Sequence, residues 1–531
     1  MSARGEATPD FLVLGAGIAG LRAALALARS GRVLVLTKGA LSESNAEYVQ
    51  GGIAAALGDD DKVALHFQDT LRAGDGLCRE EAVKVLVEEG PQQIEQLMAW
   101  GMKFDRNGPS LAHAREGAHS RSRILHAHGD STGAEIVRVL LAKAQQEKNI
   151  RFHPHALAVD LLLRGGRAEG VSYLGRESGE VRTIEAKALL LATGGLGRVY
   201  KETTNPAAAS GDGVAMAYRA GAQLSDLEFV QFHPTAMCVK SAPRFLLPEV
   251  LRSEGGFLRD IMLERFMPRH HEAAELAPRD VVARAIIMEM RRTRSEFVYL
   301  DLTHLDEAHL KKRFPAIYET CLRYNLDITA DLIPVRPAAH YAMGGASTDI
   351  HGATTLPGLF AAGEVAASGV HGANRWASNS LLEGLVFGAR AAEAIASGHS
   401  AAVAKTAPER PSHAPSPTAA GDTKSCCPPE ALIEQVRAIL WNQVGIIRTG
   451  AGLLEAVTRL ESLKLREQVP PDACAIEARN ALIIGRIIAH SALARKESCG
   501  AHYRSDFPLK REGQTPLHSY VSKDTPVFFS P

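Results

Sequence analysis

The stretch FLVLGAGIAGLRAALALARSGRVLVLTK, from Phe11 to Lys38, constrains the fold more than any other part of the chain. Four apolar residues run into Gly15, Gly17 and Gly20, a segment rich in Ala and Leu follows, and a second apolar run closes the unit. Strand, glycine turn, helix and strand is the grammar of a parallel sheet, because parallel strands need a crossover to connect them. The G-x-G-x-x-G spacing permits a tight turn and a close backbone approach, and it leaves the first N–H groups of the helix facing a pyrophosphate. The candidate dinucleotide contacts are therefore Gly15, Ala16, Gly17, Ile18, Ala19 and Gly20. A ribose-binding acid is usual after the second strand, but Thr37 and Lys38 stand there, so a simple NAD site loses support.

The rest of the chain repeats and then leaves this rhythm. LLLATGG from Leu189 and GLFAAGE from Gly358 are further apolar runs ending in glycine, whereas the segment from about Met237 to Ile333 carries its own helices and reads as an insertion. From Ser397 to Pro429 the composition turns to Ala, Pro and Ser, as in a linker or long surface loop. Beyond it, helical periodicity predicts a helical C-terminal domain. A length of 531 residues calls for two or three domains. Lys plus Arg and Asp plus Glu are each 60, which counts against nucleic acid as a partner. No apolar run is long enough for a membrane span, and MSARGEATPD lacks the apolar core of a secretory signal. Seven scattered cysteines form no CxxC pair, so a reducing, cytoplasmic location is expected.

In HGANRWASNSLLEG a helix is predicted to start at Ser378, Asn379 and Ser380, and Arg375 precedes it. A cation beside the positive end of a helix breaks a local rule and points to an anion held there. The plain alternative is an arginine capping the carbonyls of a neighbouring loop. The glycine turns SNAEYVQGGIAAA, ATGGLG and FAAGE, taken together, favour a flavin over NAD. His126 with His128, and His153 with His155, have the alternate spacing that places both on one strand face. No cysteine or carboxylate set completes either pair, so no metal is expected.

The sequence resembles the fumarate reductase and succinate dehydrogenase flavoproteins, and within them the aspartate-oxidising branch. The resemblance covers nearly the whole chain, and its most specific pieces are REGAHSRSRILHAHGDSTG, FVQFHPTA, LAPRDVVARAI, PAAHYAMGGA and HGANRWASNSLLEG. It implies an α/β fold: a Rossmann-like FAD-binding domain over 1–236 and 341–400, an inserted α+β capping domain over 237–340, a linker over 401–429 and a helical bundle over 430–531. It also implies FAD contacts from Lys38, Asn45, Gln50, Gly51, Gly52, Asp212, Glu364, Ser380 and Leu381. Asn45 stands where the membrane-complex members carry a histidine joined covalently to FAD, so noncovalent FAD is expected.

By the same resemblance, Arg375, His233 and His340 grip the two carboxylates of the substrate, and Arg279 is the family's proton-shuttling arginine. Arginine normally stays protonated, so electrostatic positioning is the favoured role of Arg279 in amine oxidation. Glu116 separates the branches: a carboxylate repels succinate or fumarate but pairs with the α-ammonium of aspartate. Without the surrounding motifs it would read as a solvated loop glutamate. The implied reaction converts L-aspartate to iminoaspartate, with reoxidation by oxygen, giving hydrogen peroxide, or by fumarate. It opens de novo NAD biosynthesis, with quinolinate synthase as the consumer of the imine. The alternatives are a fumarate reductase or succinate dehydrogenase subunit docked on an iron–sulfur partner, against which Asn45 and Glu116 argue, and a flavoprotein acting on RNA, which the neutral charge opposes. Three departures stand out: Pro248 replaces a threonine or serine, Ser253 a glycine and Cys499 an arginine.

Overall fold

The computed structural model describes residues 8–48, 50–116, 119–240, 242–406, 426–466, 472–510 and 516–531. Most of the Ala, Pro and Ser-rich stretch, residues 407–425, lies outside the described residues.

A parallel five-stranded sheet is ordered Leu359–Ala361, Ala188–Leu191, Phe11–Leu14, Val33–Leu36 and Ile150–His153. Phe11 registers with Val33 on one side and with Ala188 on the other. Because successive side chains point to opposite faces of a strand, Leu12, Leu14, Leu36, Leu189 and Leu191 enter one core. Phe11, Val13, Val35, Ala188 and Leu190 enter a second. Both faces are covered, which is why these strands read as unbroken apolar runs rather than alternating ones. The helices Ile18–Leu27 and Asn379–Ser397 pack against each other over the second core. A Cβ on Gly388 would lie 2.6 Å from Ala19 O, so glycine permits the start of the first helix to approach the middle of the second closely.

The inserted segment has its own core, from Met237 through Phe266, Ile286 and Leu300 to Val335. Its antiparallel sheet is ordered Val230–Met237, Ile333–Ala342, Val298–Asp301 and Phe257–Arg259. The first two of these strands run out of that core toward the parallel sheet and carry His233 and His340 with them. Boundaries at 237 and 340 therefore fall inside one paired ribbon.

The helices Pro429–Gln443, Gly450–Ser462 and Ala473–Ala494 pack together. Two are capped, with Thr449 accepting from Gly452 N and Asp472 from Ala475 N. Helical periodicity did not foresee the end of the chain. His518–Ser522 and Thr525–Ser530 form a hairpin that pairs with Leu224–Ser225 and extends another sheet. A buried contact of 2.6 Å between His518 Nδ1 and Asp226 Oδ2 ties it down. Also unforeseen is the antiparallel meander Ala156–Arg164, Arg167–Gly175 and Val181–Glu185, which precedes the strand ending in ATGG. No helix among the described residues is long and apolar enough to cross a membrane.

Candidate active site

The glycine turn, the start of the Asn379–Ser397 helix and the ends of the parallel strands surround one cavity of 1040 Å³. Its walls include Gly15, Ala16, Gly17, Ile18, Ala19, Lys38, Asn45, Gln50, Asp212 and Glu364, and at the far end His340, Arg375, Ser380 and Leu381. The other residues singled out from sequence do not line it. Gly20 packs under the turn, where a Cβ would meet Gly15 O at 2.0 Å, and Gly52 packs against Ile124 and Leu125. Gly51 lies beside Glu116. His233 and Arg279 are grouped behind the wall near Arg375, and Glu116 lies against Ser378.

The near end fits the nucleotide half of FAD. Gly15 has φ 114°, and a Cβ there would lie 2.1 Å from Ala192 O, so only glycine suits this position. The Ile18–Leu27 helix has no side-chain cap on its first N–H groups and no acid in its first turn, leaving a positive end toward the cavity. Lys38 Nζ pairs with Asp212 Oδ2 and Glu477 Oε1, each at 2.9 Å. Burial alone would lower the pKa of that ammonium, but the two carboxylates overcome it and hold the value raised. Asn480 donates to the second oxygen of Asp212 at 2.7 Å. Further along, buried Ser44 Oγ, Gln50 Oε1 and Thr193 Oγ1 have no partner among the described residues. Polar atoms left so are costly unless a ligand satisfies them, which is the observation that fits the flavin half. Asn45 Nδ2 donates to Glu364 Oε2 at 3.2 Å, and Ala342 N donates to its other oxygen at 3.0 Å. Burial pushes the Glu364 carboxyl up to about 7.

The far end is built for anions. Arg375 is buried, and its Nη2 donates to Ser380 Oγ at 2.6 Å. Its guanidinium stacks 4.6 Å from the ring centroid of Tyr341. It is thus held by the helix start it precedes, and its guanidinium caps no neighbouring loop carbonyl among the described residues. Burial and then the nearby charge of Arg279 lower its pKa to about 10, which still leaves it protonated at neutral pH. Arg279 sits in the first turn of the helix Arg279–Thr293 and donates to Glu249 Oε2 at 2.7 Å. Its neighbour Asp280 pairs with Arg284 at 2.8 Å.

Gln231 joins the two arginines, its Oε1 accepting from Arg279 Nη1 at 3.2 Å and from Arg375 Nη1 at 3.3 Å. Its Nε2 donates to Arg375 O at 2.6 Å. Sequence reading passed over Gln231, although it sits two residues before His233 on one strand. Tyr341 was missed as well. Its hydroxyl donates to buried Glu383 at 2.8 Å, and Glu383 also pairs with His371 at 2.9 Å.

His233 and His340 approach edge to face, 5.3 Å between ring centroids. Thr235 N donates to His233 Nδ1 at 3.3 Å, so the ring proton belongs on Nε2. That Nε2 is buried without a partner among the described residues. His340 Nδ1 contacts Thr204 Oγ1 at 2.9 Å. Burial first, and then the arginines around them, hold both imidazoles well below the ordinary histidine value. They are neutral N–H donors suited to a carboxylate.

Glu116 is no solvated loop residue: it is 4% exposed. Its Oε2 accepts from Ser378 Oγ at 2.7 Å, and Oε1 lies 3.8 Å from His126 Nε2. Burial would raise its pKa, but His126 and Ser378 outweigh that and bring it down to about 2, so it is ionised. The expectation that His126 and His128 share a strand face fails. The strand ends at Leu125, and the chain turns through His128 (φ 52°) and Gly129 (φ 73°). His155 likewise lies beyond the strand that ends at His153 and has φ 57°.

A dinucleotide cavity and, next to it, two arginines joined through Gln231 match what comparison with known proteins finds. A family model described as FAD binding domain matches residues 10–381, and one described as fumarate reductase flavoprotein C-term matches 433–527. L-Aspartate oxidase of Streptomyces coelicolor is 44% identical over 94% of this chain and 88% of its own length. The Pseudomonas aeruginosa L-aspartate oxidase is 43% identical, covering 94% of this chain and 95% of its own. The chain belongs to the L-aspartate oxidases, in the fumarate reductase and succinate dehydrogenase flavoprotein family. An E. coli quinol fumarate reductase superposes with a TM-score of 0.89 at 30% identity, covering 99% of this chain and 96% of that one.

Against that family, two departures acquire a setting. Pro248 is the extended residue before the helix Glu249–Ser253, so it offers neither N–H nor hydroxyl beside Glu249. Cys499 is buried, its thiol against Asp75 O, and Lys510 pairs with the Asp75 carboxylate. Nothing in the structure explains Ser253. As a flavoprotein of this family, the protein uses FAD as cofactor.

Proposed function

We propose that this chain oxidises L-aspartate to iminoaspartate, the first step of de novo NAD biosynthesis. One carboxylate of the substrate is held by Arg375 and the other by the His233 and His340 N–H groups, while Glu116 pairs with the α-ammonium. FAD, held noncovalently, would supply the redox chemistry, accepting the two electrons with the hydrogen of the broken Cα–H bond while a proton of the ammonium goes to solvent, and passing the electrons on to oxygen, giving hydrogen peroxide, or to fumarate. Asn45 offers no imidazole for a covalent link, which supports noncovalent binding. Arg279, charged and paired with Glu249, acts by electrostatic positioning in amine oxidation and serves proton delivery when fumarate is reduced. Each charge-assisted hydrogen bond contributes about 1.5 to 3 kcal/mol. Desolvating two carboxylates costs several kcal/mol each, and that explains a cluster of donors rather than a single one.

The observation that carries this reading is the buried, ionised Glu116, tied by Ser378 to the same helix start that holds Arg375. A site for succinate or fumarate alone gains nothing from it. Iminoaspartate hydrolyses readily, so its consumer, a quinolinate synthase, works close at hand in the same cytoplasmic compartment. Glu116→Gln tests the assignment: aspartate oxidation falls at least 100-fold while fumarate reduction by the reduced enzyme falls much less. Equal losses in both assays contradict it.

A further inference from the structure

We infer that Ser378 is a positioning residue that fixes the Glu116 carboxylate in the orientation that selects an α-amino diacid; this rests on the reading of Glu116 given above. Ser378 is 5% exposed and has φ 67°, a left-handed conformation that costs a serine energy and a glycine none. Its carbonyl accepts from Ala54 N at 3.0 Å, a bond that glycine would keep. What serine adds is the hydroxyl, and that hydroxyl donates to Glu116 Oε2 at 2.7 Å. The bond occupies Oε2 and leaves Oε1 directed toward His126 and Gly51.

The same short segment fixes the opposite charge. Two residues later, Ser380 Oγ accepts from Arg375 Nη2 at 2.6 Å. One turn of chain at the helix start thus anchors both an anion and a cation, Ser378 gripping the carboxylate and Ser380 the guanidinium. An α-amino acid presents an ammonium and a carboxylate on one carbon, so it needs two such charges at a set spacing. A diacid without the amine has no use for the first. Ser378 acts through Glu116 and not on the reacting atoms.

The test compares Ser378→Gly and Ser378→Ala in the FAD-loaded enzyme by the ratio of kcat/KM for aspartate to kcat/KM for fumarate. The expected result is a fall in that ratio of about 10-fold or more in both variants, the loss of one charge-assisted hydrogen bond. Glycine is the informative change, since it removes the hydroxyl while relieving the backbone. A Glu116→Gln, Ser378→Gly double variant is expected to be no worse in this ratio than Glu116→Gln alone, because the hydroxyl acts only through the carboxylate. A ratio for Ser378→Gly within twofold of the unaltered enzyme overturns the inference, as does a double variant whose losses multiply. If Glu116→Gln collapses the ratio and Ser378→Gly does not, the role of Ser378 falls while that of Glu116 stands. If neither moves it, both fall.

Discussion

The guanidinium of Arg375 lies 4.6 Å from the ring centroid of Tyr341 while one of its nitrogens donates to Ser380. A plane that stacks and donates in two directions is a task for guanidinium and not for an ammonium. Arg375→Lys keeps the charge and loses the geometry. Its expected effect is a loss of kcat/KM of at least 100-fold for both aspartate and fumarate, with FAD retained in the purified protein. Loss of the flavin would assign Arg375 to cofactor binding instead, and activity near the starting value would remove it from the site.

Gln231 lets two like charges stand together by offering both the same neutral oxygen. A full negative charge there would satisfy the arginines and compete with the substrate for them. Gln231→Glu is therefore expected to raise KM for aspartate by at least 10-fold and to raise KM for fumarate similarly. Steady-state kinetics with both substrates checks this, and unchanged KM values contradict it.

Buried neutral histidines make the fold sensitive to acid. Burial lowers His66 to about 4 and His119 to about 3, and it holds His233, His340 and His502 well below the ordinary histidine value of 6.5. Each has a folded pKa below its unfolded one, so as pH falls below 6.5 the unfolded chain takes up protons that the folded chain refuses, and stability drops. The contributions of His66 and His119 are lost progressively down to about pH 4 and pH 3. Glu364, raised to about 7, together with Asp130 and Asp280, also raised, acts in the opposite sense and favours the fold at lower pH. The histidines outnumber them. The Tm of the enzyme is expected to decline steadily from pH 7 to pH 5, and a Tm constant or rising over that range contradicts the assignment.

The nucleotide half of the site was readable in the sequence because it rests on local rules: a glycine turn, unbroken apolar strand runs and a helix start all leave a pattern within about 20 residues. Lys38 and Asp212 were singled out by resemblance, and only the fold shows that they meet. The supporting contacts of the substrate end left no such pattern. Ser378 and Glu116 are 262 positions apart, and Gln231 and Arg375 are 144 apart. Contacts between distant side chains have no periodicity to betray them, and a buried glutamate is spelled like an exposed one. One signal was available and unused: Gln231 and His233 share a strand face, so a polar residue beside a candidate ligand merited attention. The C-terminal hairpin HSYVSKDTPVFFS, rich in β-branched and aromatic residues around a Lys-Asp turn, was likewise legible and was overshadowed by the helices before it.

The most direct measurement is made without oxygen: the FAD-loaded enzyme is given L-aspartate in one cuvette and succinate in another, and the flavin absorbance is followed. Rapid bleaching by aspartate, with succinate far slower, is the result expected if Glu116 selects the amine. Bleaching by succinate while aspartate leaves the enzyme oxidised would contradict it.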